Sequence, residues 1–310
     1  MKHTLKVTLA LAAFFFLAQV VGLLIVNQYI DHKKTVEAKE IIYKPLPYSL
    51  ERPQVENQST SFMYVIITIL VGTGLLLLIA KTHKPFFWKI LFFISISITL
   101  SVALAAFINI AAAAVIAVII SFLRLNRPNM LIHNISEVFI YGGLATIMVN
   151  IFNLFAAFML LIFISIYDYI AVFRTKHMIQ LAEFQSEAKV FAGLYIPYSR
   201  GKVSAGQELK AEPVRPKSRD STGKVPSKGS VAILGGGDIG FTLIFASVVM
   251  KDLMLHNAIW LGFLKTLIIP VFVTIALFIL LMKGRQSKFY PAMPVLSLGC
   301  FIGYLVVWLI

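Results

Sequence analysis

Residues 138–173 read VFIYGGLATIMVNIFNLFAAFMLLIFISIYDYIAVF, 36 positions with a single charge, at Asp168. As one helix this run would extend about 54 Å, nearly twice the roughly 30 Å hydrocarbon core of a bilayer. The chain must fold back inside it, and Asn150 to Asn153 is where polar side chains permit a turn. The run from Phe86 to Leu123, charged only at Lys89, poses the same problem and is expected to turn near Asn109.

Working outward from these two hairpins, the apolar pattern predicts nine spans, at about 6–30, 62–80, 87–106, 109–123, 134–149, 153–173, 231–250, 257–282 and 291–310. The fold class expected is therefore an all-α membrane protein. Composition agrees, because 59% of the 310 residues are hydrophobic and only 14% are charged, which excludes an ordinary soluble globule. Lys2 and Lys6 ahead of the first run resemble the basic start of a signal peptide, but about 24 apolar residues are too many for that, so a retained first span is expected.

The net charge of +14 would suggest nucleic acid in a soluble protein. In a membrane protein it fixes orientation instead, and no nucleic-acid partner is expected. With the N-terminus inside, 21 of the 28 Lys and Arg fall in inner segments and six in outer ones, with Lys265 in the eighth span. The N-terminus is accordingly expected in the cytoplasm and the C-terminus outside. Cys300 is the one cysteine, which leaves no internal disulfide and no Cys-x-x-Cys site, and the six histidines stand singly. Neither a metal nor an organic cofactor is expected.

Domain organisation follows from where the composition changes. Residues 1–150 hold the first five spans, 151–198 the sixth span with an amphipathic extension over His177 to Leu194, and 231–310 the last three spans. Between them 199–230 is rich in Lys, Arg, Pro, Ser and Gly, which reads as a flexible basic cytoplasmic linker that also suits anionic lipid head groups.

Two acids lie deep in this apolar sequence. Asp168 sits six residues before Arg174, about 9 Å from the inner end of the sixth span, and Asp238 eight residues after Ser230, about 12 Å into the seventh. Spans joined in sequence tend to be neighbours, so the two carboxylates are expected to face one another. They cannot both ionise cheaply there, so the pair would share one proton. That is the apparatus of an aspartic protease, one carboxylate activating water and the other protonating the amide. The ordinary role of a lone intramembrane acid, an interhelical hydrogen bond or a proton relay, suits a matched pair less well.

The acids stand in Tyr167-Asp168 and in Gly235-Gly236-Gly237-Asp238, and a third element, Pro291-Ala292-Met293-Pro294, opens the last span. In this order the sequence resembles the presenilin and signal peptide peptidase family of intramembrane aspartyl proteases, whose members carry Tyr-Asp, Gly-x-Gly-Asp and Pro-Ala-Leu. Here Met293 replaces the leucine, a change that keeps volume and polarity. The resemblance covers roughly 134–310 and implies catalysis by Asp168 and Asp238. It also implies that Tyr167, Gly235, Gly237, Pro291, Ala292 and Met293 shape the site and meet the substrate. Two prolines would hold Pro291 to Pro294 partly non-helical, freeing backbone groups for an extended substrate.

Gly235, Gly237 and Gly240 also match the dinucleotide fingerprint, but a preceding strand and a soluble βαβ unit are not expected here, and Asp238 would repel a pyrophosphate. Tyr167 near an interface is either an anchor or a donor to the pair. Glu137, at the inner start of the fifth span, reads as a solvated or capping residue.

The activity expected is hydrolysis of a peptide bond within or near the transmembrane helix of a single-span protein, membrane stub or signal peptide. The alternative from another class is a proton-coupled transporter or ion conductor using the same aspartates, and a prepilin-type peptidase would predict fewer spans and no Tyr-Asp or Pro-Ala element. The short loops point to a multi-pass protein of a prokaryotic, archaeal-type plasma membrane.

Overall fold

The long apolar runs fold as helices of bilayer length. The computed structural model describes residues 5–81, 85–126, 129–175, 190–197, 231–283 and 290–310. In it α1 spans Leu5–Gln28, α2 His32–Ala38, α3 Ser61–Lys81, α4 Pro85–Ala105, α5 Ile110–Asn126, α6 Met130–Met148 and α7 Leu154–Ile170. Later in the chain come α8 Gly236–His256, α9 Ile259–Thr266, α10 Ile268–Lys283 and α11 Met293–Leu309. Among the described residues seven segments are long and apolar enough to cross a membrane, α9 and α10 counting as one, and α5 and α11 are shorter apolar helices of 17 residues.

Asparagines mark the reversals, as expected from the sequence. The side chain of Asn109 accepts the N–H of Ala111 at 2.8 Å where α4 gives way to α5, and that of Asn153 accepts the N–H of Ala156 at 2.8 Å to start α7. Each satisfies a donor that a helix start leaves without a partner.

Between apolar helices in lipid the hydrophobic effect offers little, so packing and interhelical hydrogen bonds hold the bundle. Its centre is α1, α6 and α8, where Leu11, Phe15, Leu23, Ala145, Leu243 and Phe245 are buried. At the periphery α3 turns Ile67, Val71 and Leu75 outward.

One expectation is corrected. The fold is not purely helical, because β1, Gly193–Pro197, and β2, Val231–Gly235, pair antiparallel with Gly193 opposite Gly235. Side chains alternate along both: Leu194, Ile196, Ala232 and Leu234 are buried, while Ile233 is exposed. Period-two burial in GLYIP and VAILG, with glycine at one end of each, makes strands of segments that had been read as the end of an amphipathic helix and the start of the seventh span. The helix expected at 231–250 therefore runs from Gly236 to His256. The rest of the expected amphipathic extension, 177–189, and the expected linker, 199–230, lie outside the described residues.

Candidate active site

Asp238 opens α8. Gly235 is the N-cap, so Asp238 occupies the third helical position, the place from which a side chain can reach back toward the N-cap. The acid thus stands in the first turn rather than two turns into a span, because β2 takes up the residues before it. Gly-rich helix starts are weak, since each glycine costs about 1 kcal/mol relative to alanine. The first turn is held from outside instead. Gln19, buried in α1, donates its amide to the Ile239 carbonyl at 3.0 Å and to Thr242 Oγ1 at 2.9 Å, and Thr242 Oγ1 donates to the Asp238 carbonyl at 2.7 Å.

Asp168 lies two residues before the end of α7, which continues as a π turn over Ala171–Thr175. Such widened turns in a helix commonly accompany functional sites. The carboxylate is buried and accepts the Met293 N–H at 3.1 Å. This is a donor that the uncapped start of α11 would otherwise leave unpaired. A bond of 2.8 Å between the hydroxyls of Ser165 and Ser297 keeps α7 and α11 in register. Each acid therefore sits at the positive end of a helix, Asp238 on its own and Asp168 on α11.

Asp168 and Asp238 line one cavity of about 190 Å³. That volume admits several waters. Tyr167, Gly235, Gly237 and Met293 also line it, and Ile66, Ile69 and Leu70 of α3 form its apolar side. Of the residues singled out in the sequence, the structure brings six to this cavity. Pro291 and Ala292 do not line the cavity. Tyr167 turns its hydroxyl to Thr73 Oγ1 on α3, at 3.2 Å.

Three readings change. Pro294 lies inside the first turn of α11, where a missing N–H costs nothing, so Pro291 to Pro294 is helical from Met293 onward. The Met293 N–H, among the backbone groups expected to await a substrate, is held by Asp168. Glu137 is neither solvated nor a cap: it is buried and ion-paired with Arg124, also buried. A strand does precede Gly236, contrary to the ground given against the dinucleotide fingerprint. It pairs antiparallel with β1 in a sheet of two strands, which is no βαβ unit.

The sequence reading passed over two residues that the site depends on. Gln19 was legible as a lone amide inside an apolar span, a residue type that seeks an interhelical partner. Gly236, between the two glycines singled out, packs directly on the Tyr141 hydroxyl, with no room for a methyl group.

Comparison with known proteins agrees with this geometry. The family model for signal-peptide peptidase and presenilin aspartyl proteases matches residues 12–310. Two crystal structures of a presenilin family intramembrane aspartate protease, in space groups C222 and P2, share the fold with TM-scores of 0.59 and 0.58. Sequence identity is 18% and 19%, over 97% of this chain in both cases and 98% and 97% of the other. No curated protein matches the sequence. With the family model spanning nearly the whole chain, and two carboxylates of separate helices on one cavity inside an apolar bundle, the chain belongs to the signal peptide peptidase and presenilin family of aspartyl proteases.

Proposed function

We propose that this protein is an intramembrane-cleaving aspartyl endopeptidase of the Gly-x-Gly-Asp type, with Asp168 and Asp238 as its catalytic pair. The observation that carries the reading is the shared cavity of the two acids. In the ionised member of the pair a carboxylate oxygen takes a proton from water as the water oxygen bonds to the scissile carbonyl carbon. The protonated member gives its proton to the carbonyl oxygen. Collapse of the tetrahedral adduct breaks the C–N bond: one hydroxyl of the adduct returns its proton to the second carboxylate as the C=O bond re-forms, and the amine leaves with a proton from the first carboxyl, so the pair again holds one proton.

The substrate is a single-span helix, membrane stub or signal peptide whose amides are internally bonded, so a few residues must unwind first. Among the described residues no third strand pairs with the far edge of β2, which ends three residues before Asp238, and an unwound segment can add there as a further strand. We take the chain to cross a plasma membrane nine times with its N-terminus inside. The two 17-residue helices support this count, each about 26 Å long, and the excess of inner basic residues supports the orientation. In this arrangement 199–230 is the cytoplasmic linker between the segments bearing the two acids, and family membership supports hydrolysis over transport.

The test is hydrolysis of a synthetic peptide of about 20 apolar residues flanked by lysines, in detergent and in ¹⁸O-labelled water. Products cut inside the apolar segment, with one labelled oxygen in the new carboxylate, support the reading. An intact peptide, together with aspartate-dependent proton or ion flux in liposomes, overturns it.

A further inference from the structure

The outer edge of β1 is covered by side chains. In the antiparallel register Ala192 turns its carbonyl toward β2, accepting the Gly236 N–H at 3.1 Å, so residues 191, 193 and 195 turn theirs away. Each of those carbonyls meets a donor from α5 or α6. Arg124 donates to Phe191 O at 2.8 Å, His133 Nε2 to Gly193 O at 2.7 Å and Asn134 Nδ2 to Tyr195 O at 2.9 Å. Asn134 Oδ1 also accepts the Tyr195 N–H at 3.2 Å, so one side-chain amide copies the two bonds of a neighbouring strand. Arg124, His133, Asn134 and Glu137 are all buried, and Glu137 pairs with Arg124 and stands 3.7 Å from His133. The His133 ring lies 4.6 Å from that of Tyr195.

From this edge a short path leads to the acid. Gly193, at φ 137°, lies so close to Leu234 O and Gly236 N that no side chain fits. Moving β1 therefore moves the end of β2, where the Ala192 carbonyl holds the Gly236 N–H at 3.1 Å and α8 begins, two residues before Asp238. We infer that Arg124, His133 and Asn134 form an edge clamp on β1 that positions Asp238 for the reaction. Glu137 balances the arginine. None of the three lines the cavity, and they act as positioning residues through β1, β2 and Gly235. The inference rests on the proposed proteolysis for its kinetic consequence but not for its structural one.

The experiment joins amide hydrogen exchange with kinetics on the same lysine-flanked peptide, comparing the full chain with Asn134→Leu and Asn134→Asp. Aspartate keeps the acceptor for the Tyr195 N–H and loses the donor. In Asn134→Leu the clamp requires amides 191–196 and 231–238 to exchange faster together. It also requires kcat to fall about tenfold, the scale set by losing buried hydrogen bonds, while KM stays within about twofold. Asn134→Asp should fall between. Faster exchange confined to 191–196 with kcat intact would overturn the clamp, as would a rise in KM alone. If Asn134→Leu does not fold, the same comparison is read from Asn134→Asp. A wild type that cuts no peptide overturns the protease reading only, and exchange at 231–238 then decides the clamp.

Discussion

The N–H of Met293 donates to the carboxylate of Asp168 at 3.1 Å, so the start of the last helix is fastened to an acid of another helix 125 positions earlier. This bond explains how a short element opening α11 can serve a site on α7. It is a backbone donor, so the identity of the side chain at 293 matters less than the presence of the N–H.

Met293→Leu should therefore leave kcat within about twofold and cost under about 1.5 kcal/mol of stability, as for a volume-conserving core change. Met293→Pro removes the N–H that reaches Asp168. It should lower kcat by about tenfold, which steady-state cleavage of the model peptide would reveal.

Gly236→Ala should cost about 1–3 kcal/mol, because its methyl would meet the Tyr141 hydroxyl. Adding Tyr141→Phe should restore part of that loss. At Gly237 a methyl would sit 3.5 Å from the Phe241 ring, an ordinary contact, so Gly237→Ala should be near neutral in thermal unfolding.

Glu137→Leu strands the buried Arg124 guanidinium and should cost about 3–5 kcal/mol. The pair Arg124→Met and Glu137→Leu together should recover most of that stability. It should not recover activity, because the donor to Phe191 is gone. Thermal unfolding in detergent alongside peptide cleavage separates the two effects.

A catalytic pair sharing one proton predicts a bell-shaped dependence of kcat/KM on pH. At low pH a second proton removes the base, and at high pH loss of the shared proton removes the acid. A rate that rose without limit toward high pH would contradict the shared-proton mechanism.

Helix reversals at Asn109 and Asn153 were legible because a bilayer caps span length and asparagine caps helices. That Asp168 and Asp238 line one cavity was legible from their unusual place in apolar sequence. The strands were not, since a hairpin of five-residue segments separated by more than thirty residues leaves only a weak period-two signal beside long apolar runs. Glu137 was misread because a charge near the inner end of a span ordinarily meets head groups. Its partner, Arg124, lies on the preceding helix, 13 positions away, where local pattern does not reach.

The central claim is that two aspartates act as one unit, and the direct measure is kcat for Asp168→Asn, Asp238→Asn and the double variant, each confirmed as folded by its unfolding temperature. Residues acting as a unit are non-additive, so each single change should lower kcat by about a thousandfold or more and the double no further. Either single variant retaining near wild-type cleavage would contradict the account.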